Sequence, residues 1–309
     1  MHAAATLTGS GAGAAAARAA LFLRGDSERH LAGLDSVDAD AVIVDLEDAV
    51  DPAGKAAARR LVEVHLRARP RGRELWVRVN AASGADVDLD LAAALWPCTT
   101  AVVLPKLETA TQLRLLDEAL GRRERELNLV PGSTSVLGLV ETAAGILHLG
   151  PTLAGRGARP FRLAFGPADY AAGHGLAVDQ AQPALEHARA TLVLHSVAAG
   201  LPAPLDGPWM RIGDNEGLAA DSRRSRGHGF SGRLAIHPGQ VAVVRAEYGG
   251  RDELDRARAV VAAWSSRPAG VGSIRVGDQF VDAPVHAAAA RLLAQAAPPG
   301  EPAARPEEP

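Results

Sequence analysis

Eight short apolar runs punctuate this chain, and each stops abruptly at charged residues, glycine or proline. They read AALFL at 19–23, AVIVDL at 41–46, ELWVRVN at 74–80, TAVVL at 100–104, SVLGLV at 135–140, FRLAF at 161–165, APLD at 203–206 and GRLAI at 232–236. Runs this brief suit strands buried on both faces. The stretches between them repeat at the period of a helix, as in Lys55–Arg67, with arginine on one side and alanine, leucine and valine on the other. Strand and helix alternate at roughly 25–35-residue intervals. That rhythm predicts an α/β fold in which eight parallel strands close into a (β/α)8 TIM barrel, with the active residues on its C-terminal rim. A chain of 309 residues accommodates a barrel of about 250.

Two strand ends carry the sharpest chemical signal. Glu141 stops the run in VLGLVETAAG, and Asp169 follows the run in FRLAFGPADY, 28 positions later (169 − 141). The separation is about one strand–helix–strand unit, so neighbouring parallel strands would bring both carboxylates to one rim. Two oxygen donors, with water or substrate completing the shell, are how Mg²⁺ is commonly held. The competing reading makes each acid a helix cap, Glu141 for a helix over 143–149 and Asp169 for the next. AVIVDLED adds Asp45, Glu47 and Asp48, more acids than one cap needs. ELWVRVN delivers Arg78, whose flat fork matches a carboxylate. Lys106, just past TAVVLP, raises a different chemistry, because a buried amine at a barrel rim can form a Schiff base.

A net charge of −3 and a pI near 6.4 give no reason to expect nucleic acid or an anionic membrane, so local charges must attract the substrate. Cys98 is the sole cysteine, which excludes an intramolecular disulfide and a cysteine-based metal site and suits a reducing cytoplasm. Residues 1–16 read as a disordered Ala/Gly arm; no basic region opens the apolar stretch and Arg18 interrupts it, unlike an export signal. The barrel then occupies 17–247. Beyond it, a helix over 251–266, a loop or hairpin over 270–276 and a helix over 283–296 form an appended segment, 248–296, before a disordered tail at 297–309.

In order and spacing, RAALFLRGD, AVIVDLEDAVDPAGKAAAR, VRVN, AVVLPKLET, GLVETAAGI, LAFGPADYAAGHGL, DNEGL and GFSGRLAIHPGQV, from about Arg18 to Val244, resemble the citrate lyase β-subunit and malyl-CoA lyase family of carbon–carbon lyases. The resemblance implies Mg²⁺, or Mn²⁺ in its place, held by Glu141 and Asp169. It implies Arg78 as the enolate-stabilising arginine and Glu47 as the acid that helps hold it. The backbone of Ala164, Phe165, Gly166 and Pro167 matches the loop that approaches the substrate carboxylate, and Arg18 and Lys55 fall in stretches lining the coenzyme A side. VGDQFVDAPVHAAAARLLAQA resembles the lid of malyl- and citramalyl-CoA lyases, whose aspartate, here Asp282, reaches the active site of an adjacent subunit. A homotrimer or hexamer is therefore implied. Relatives carry Pro-Gly where this chain has Arg24-Gly25, a cation that either adds a phosphate contact or narrows the acyl pocket.

The activity so implied is cleavage of a 3-hydroxyacyl-CoA thioester to a 2-keto acid and acetyl-CoA. Two rivals stand beside it: a Schiff-base aldolase using Lys106, and a citrate-lyase-type subunit that acts only with a carrier-protein partner.

Overall fold

The eight apolar runs are eight consecutive parallel strands: β1 (Ala19–Arg24), β2 (Ala41–Asp45), β3 (Glu74–Arg78), β4 (Ala101–Leu104), β5 (Ser135–Val140), β6 (Phe161–Phe165), β7 (Leu205–Asp206) and β8 (Gly232–Ala235). Each pairs with the next, and β8 pairs with β1, closing the barrel. It is a TIM barrel. The computed structural model describes residues 14, 16–81, 86–178, 182–249, 251–268 and 270–296.

Alternation along each strand separates two cores. Ala20, Ile43, Trp76, Val103, Leu139, Ala164, Leu205 and Leu234 fill the barrel, while Leu21, Val44, Val77, Leu104, Val140 and Phe165 face outward to the helices. β2, β3 and β8 end a residue or two short of their runs, β5 and β6 coincide with theirs, and β1 continues through Arg24. β7 is the shortest because Pro204 has no N–H to give a neighbouring strand.

The helices between strands are α1 (Glu28–Ala32), α2 (Lys55–Leu66), α3 (Asp86–Ala94), α4 (Ala110–Glu126), α5 (Ala143–Leu147), α6 (Leu149–Ala154), α7 (Pro167–Gly173), α8 (Gln182–Ala198), α9 (Asn215–His228) and α10 (Pro238–Tyr248). The charged stretch after Leu120 continues α4, which starts on a Thr109–Gln112 capping box and carries Arg123 and Arg125 in its last turn, where cations oppose the helix dipole. The helix expected over 143–149 is two short ones, since Pro151 cannot donate to the carbonyl four residues back.

At the N-terminal end of the barrel the last residues of the expected arm are ordered against it. Residues 14 and 16 are helical, and Ala14 is buried rather than part of a free arm; residues 1–13 and 15 lie outside the described residues, as does the tail at 297–309. Arg162, fully buried on β6, donates from Nη1 to the carbonyls of Ala14 and Ala17, from Nε to Ala203 and from Nη2 to Ser231 Oγ. Burial without a carboxylate partner pulls its pKa down to about 9.

Residues up to Tyr248 form one compact unit and those from Gly249 a second. The second contains α11 (Arg251–Ser265), an antiparallel hairpin of β9 (Ser273–Val276) and β10 (Gln279–Asp282), and α12 (Ala283–Ala296). Gly277 opens the two-residue hairpin turn at φ 61°, a conformation glycine adopts without strain. Val260, Trp264 and Val281 make this unit's own small core, with Trp264 stacked on His286 and the Arg267 guanidinium also over its ring. Among the described residues, no helix is long and apolar enough to cross a membrane.

Candidate active site

Asp45, Arg78 and Glu141 lie on the inward faces of β2, β3 and the end of β5, by the same alternation that points Ile43, Trp76 and Leu139 into the barrel. Asp45 and Arg78 sit opposite each other in register. The guanidinium donates to both carboxylate oxygens, Nε to Oδ1 at 2.7 Å and Nη2 to Oδ2 at 2.5 Å, the bidentate geometry that fixes an arginine in orientation as well as place. Asp45 also accepts the N–H groups of Glu47 and Ala49, so one buried carboxylate shapes the acidic loop and aims Arg78. Phe22 on β1 puts its ring 4.8 Å from the guanidinium carbon. Burial opposes the charge on Arg78, but Asp45, Glu47 and Glu141 outweigh it and hold its pKa above the ordinary value.

Glu47 stands between two cations. Its Oε1 accepts from Lys106 Nζ at 2.6 Å. Its Oε2 lies 3.0 Å from Arg78 Nη1 without hydrogen-bond geometry, leaving a buried oxygen with no hydrogen bond. Burial pushes the Glu47 carboxyl upward, against Arg78 and Lys106, which pull it down.

Glu141 is 1% exposed, just past β5. Lys106 N–H donates to its Oε1 at 2.9 Å. Gly166 follows β6 and donates to Val140 O; a Cβ there would lie 2.4 Å from Glu141 Cβ and 2.5 Å from Oε2, so only glycine lets the glutamate sit at this rim. Burial, then Asp169 and Glu47 after the opposing Lys106 hydrogen bond, raise the Glu141 pKa to about 8.

The capping alternative fails on both acids. Thr142 caps α5, its hydroxyl accepting from Gly145 N–H, and α7 starts at Gly166 with Pro167 in its first position and Asp169 inside the first turn. Asp169 thus comes from the first turn of α7, three residues beyond the strand-end position expected for it.

Asp169 and Glu47 both act against the charge of Glu141, and Glu47 Oε2 is buried without a hydrogen bond. Among the described residues no group of three His, Cys, Asp or Glu side chains gathers to hold an ion. Two carboxylates at an oxygen-rich, negatively charged spot suit Mg²⁺, which keeps several positions for water and substrate, better than a cation needing a full protein cage. Without an ion, Glu141 carries a proton below about pH 8. Binding Mg²⁺ at pH 7 should therefore release about one proton and at pH 9.5 almost none, with apparent affinity rising through that interval. Calorimetry in buffers of different ionisation enthalpy measures this directly; equal release at both pH values would contradict it.

The remaining candidates separate. Arg24 ends β1 on the same rim, but its exposed guanidinium forks onto Asp26 at 2.9 and 2.8 Å. Lys55 Nζ donates to the carbonyls of Leu46 and Glu47 at 2.8 and 2.6 Å and so braces the acidic loop. Arg18 precedes β1 at the opposite end of the barrel, where its N–H meets Asp40 and its carbonyl meets Arg233. Six residues of strand, roughly 20 Å, divide it from the rim that carries the acids. Ala164 lies inside the barrel and Phe165 points outward against Tyr170, ring centroids 5.5 Å apart, while Gly166 packs directly against Glu141. Asp282 ends β10 in the second unit, where its carboxylate accepts from Val285 N–H. Lys106 is paired with Glu47 and lies 3.5 Å from Asp48; although burial opposes its charge, these acids raise its pKa, the reverse of what a Schiff-base amine needs.

The sequence model of the HpcH/HpaI aldolase/citrate lyase family matches residues 18–238. The chain belongs to this family. The citrate lyase subunit beta-like protein of Deinococcus radiodurans is 32% identical over 91% of this chain and 97% of its own. Mitochondrial citramalyl-CoA lyase of Mus musculus is 28% identical over 87% of this chain and 82% of its own. The structure of CitE from Mycobacterium tuberculosis in complex with magnesium, acetoacetate and coenzyme A superposes with a TM-score of 0.71 at 33% identity, covering 91% of this chain and 99% of that one. Asp45, named from the sequence only as one of three neighbouring acids, is the one that the geometry singles out, because it holds both arms of the Arg78 fork. The alternation of AVIVD, which puts Asp45 on the face of Ile43, was the signal for it.

Proposed function

We propose that the chain is a Mg²⁺-dependent lyase that cleaves a 3-hydroxyacyl-CoA, of malyl-, citramalyl- or citryl-CoA type, into a 2-keto acid and acetyl-CoA. The observation that carries this reading is a fixed guanidinium, Arg78, beside the buried carboxyls Glu47 and Glu141, with the charge of Asp169 acting on Glu141. Relatives named as lyases, and a relative's complex with magnesium and coenzyme A, support it.

Glu141 and Asp169 would hold the ion, whose charge, when it is bound, makes the substrate hydroxyl more acidic. Glu47 Oε2, buried and without a hydrogen bond, takes the hydroxyl proton. The electrons of that O–H bond form the C=O of the keto acid, the adjacent C–C bond breaks, and its pair moves onto the thioester as an enolate. Arg78 donates to the enolate oxygen, held in place by Asp45 as charge develops. Asp282 from a second copy delivers a proton to the enolate carbon, completing acetyl-CoA; Glu47 and Asp282 then exchange protons with solvent. A homotrimer or hexamer is part of this reading because Asp282 serves a neighbour.

A panel of 3-hydroxyacyl-CoA esters, followed by keto-acid release, tests it. The purified chain alone should turn over one or more of them with Mg²⁺ and none after EDTA. Turnover in EDTA with borohydride trapping on Lys106 would replace the metal with a Schiff base, and turnover only with a carrier protein would make the chain a citrate-lyase-type subunit.

A further inference from the structure

Lys106 is the described residue that ties the two acidic stretches of the rim together, and its backbone lies where a side-chain-bearing residue is seldom found. Its φ is 49°, in the left-handed region, and among the described residues only Asn128 shares this without being glycine. The turn sends three groups to three places. The N–H donates to Glu141 Oε1, the ammonium to Glu47 Oε1, and the carbonyl accepts from Gln112 Nε2 at 3.0 Å. The next residue returns to regular pairing, with Leu107 N–H on Leu139 O. Gln112 is itself fixed by the N–H groups of Glu108 and Thr109, so α4 clamps the turn from behind.

We infer that Lys106 is a positioning residue that holds Glu47 against Arg78 and, by placing a permanent positive charge among the ion-binding acids, weakens the site's grip on Mg²⁺. This rests on the reading of the rim as a Mg²⁺ site. Two opposed consequences follow. The ammonium at 2.6 Å keeps Glu47 Oε1 occupied, which leaves Oε2 as the oxygen turned to Arg78 and substrate. The same charge, on a side chain 39% exposed, repels a divalent cation held among the buried carboxyls, and solvent screens that repulsion only in part. Asp48, only 3.5 Å from Nζ and more exposed, offers the ammonium an alternative partner and does not replace its hold on Glu47.

The test separates charge from conformation. Lys106→Met keeps the length and the backbone N–H but removes the charge; it should bind Mg²⁺ about tenfold more tightly by calorimetry while kcat falls about a hundredfold. Lys106→Gly should show the same tightening of Mg²⁺ binding with a higher Tm than Lys106→Met, because glycine adopts this φ without strain. Lys106→Arg should bind Mg²⁺ as the wild type does. In a Glu47→Gln background, Lys106→Met should cost no further kcat. Weaker or unchanged Mg²⁺ binding in both Met and Gly variants, or kcat losses that multiply with Glu47→Gln, would overturn the inference. A wild type that binds no Mg²⁺ would instead overturn the metal reading itself.

Discussion

Arg78→Lys is expected to lower kcat/KM by about 10²- to 10³-fold while leaving Mg²⁺ binding and Tm close to wild type. The charge survives the substitution and the fork does not. Asp45 receives two parallel N–H bonds from Arg78, and an ammonium can supply neither the second bond nor the plane they define. Losing a donor aimed at a developing oxyanion typically costs two to three orders of magnitude, about 3–4 kcal/mol. The fold should tolerate the change because Asp45 keeps the N–H groups of Glu47 and Ala49, so its buried carboxylate is not left unpaired. Asp45→Asn provides the control. It leaves Arg78 charged but removes the acceptor pair that aims it, and should lose nearly as much in kcat with little change in KM. A kcat within about threefold of wild type in Arg78→Lys, at unchanged Tm, would remove Arg78 from the chemistry.

The barrel was legible because short, mainly apolar strands alternate with helical stretches eight times at a regular interval, a rhythm that needs no tertiary information to recognise. The rim was legible where one residue type carried its own reason. Glu141 and Arg78 lie at strand ends on faces that period-two alternation fixes. Other features were hidden because their cause is spatial. Gly166 looks like any loop glycine until the path of Glu141 shows that a Cβ would collide with it. Asp45 reads as one acid among three; alternation along β2 puts it on the inward face, and its pairing in register with Arg78 shows what it does there. Arg18 was hard to place for a related reason. Its sequence neighbourhood matches a family motif, but a residue preceding a parallel strand stands at the end of the barrel away from the rim. Helix α3 (Asp86–Ala94) escaped notice because apolar and acidic residues alternate along it at first, and its end is almost all alanine.

Glu141→Gln should abolish Mg²⁺ binding and reduce turnover by about 10⁴-fold or more, and Asp169→Asn should do the same. The glutamine is nearly isosteric and its Oε1 can still accept from Lys106 N–H, so the backbone of the turn is preserved. What it removes is the charge that a hard cation requires. The same substitution should make the metal-free protein more stable at alkaline pH. Burial raises the folded-state pKa of Glu141 to about 8 from an ordinary 4.5, so the folded chain binds more protons than the unfolded chain between those values. Wild-type stability without metal therefore declines as pH rises from about 4.5 to 8 and levels off above, a loss on the order of a few kcal/mol at most. Glu141→Gln has no such proton to lose, so its Tm should exceed that of EDTA-treated wild type at pH 9 and match it near pH 5. Adding Mg²⁺ at pH 9 should raise the wild-type Tm and leave the variant where it was. If the variant is stabilised by Mg²⁺ as strongly as the wild type, the ion is held elsewhere and Glu141 is not its ligand.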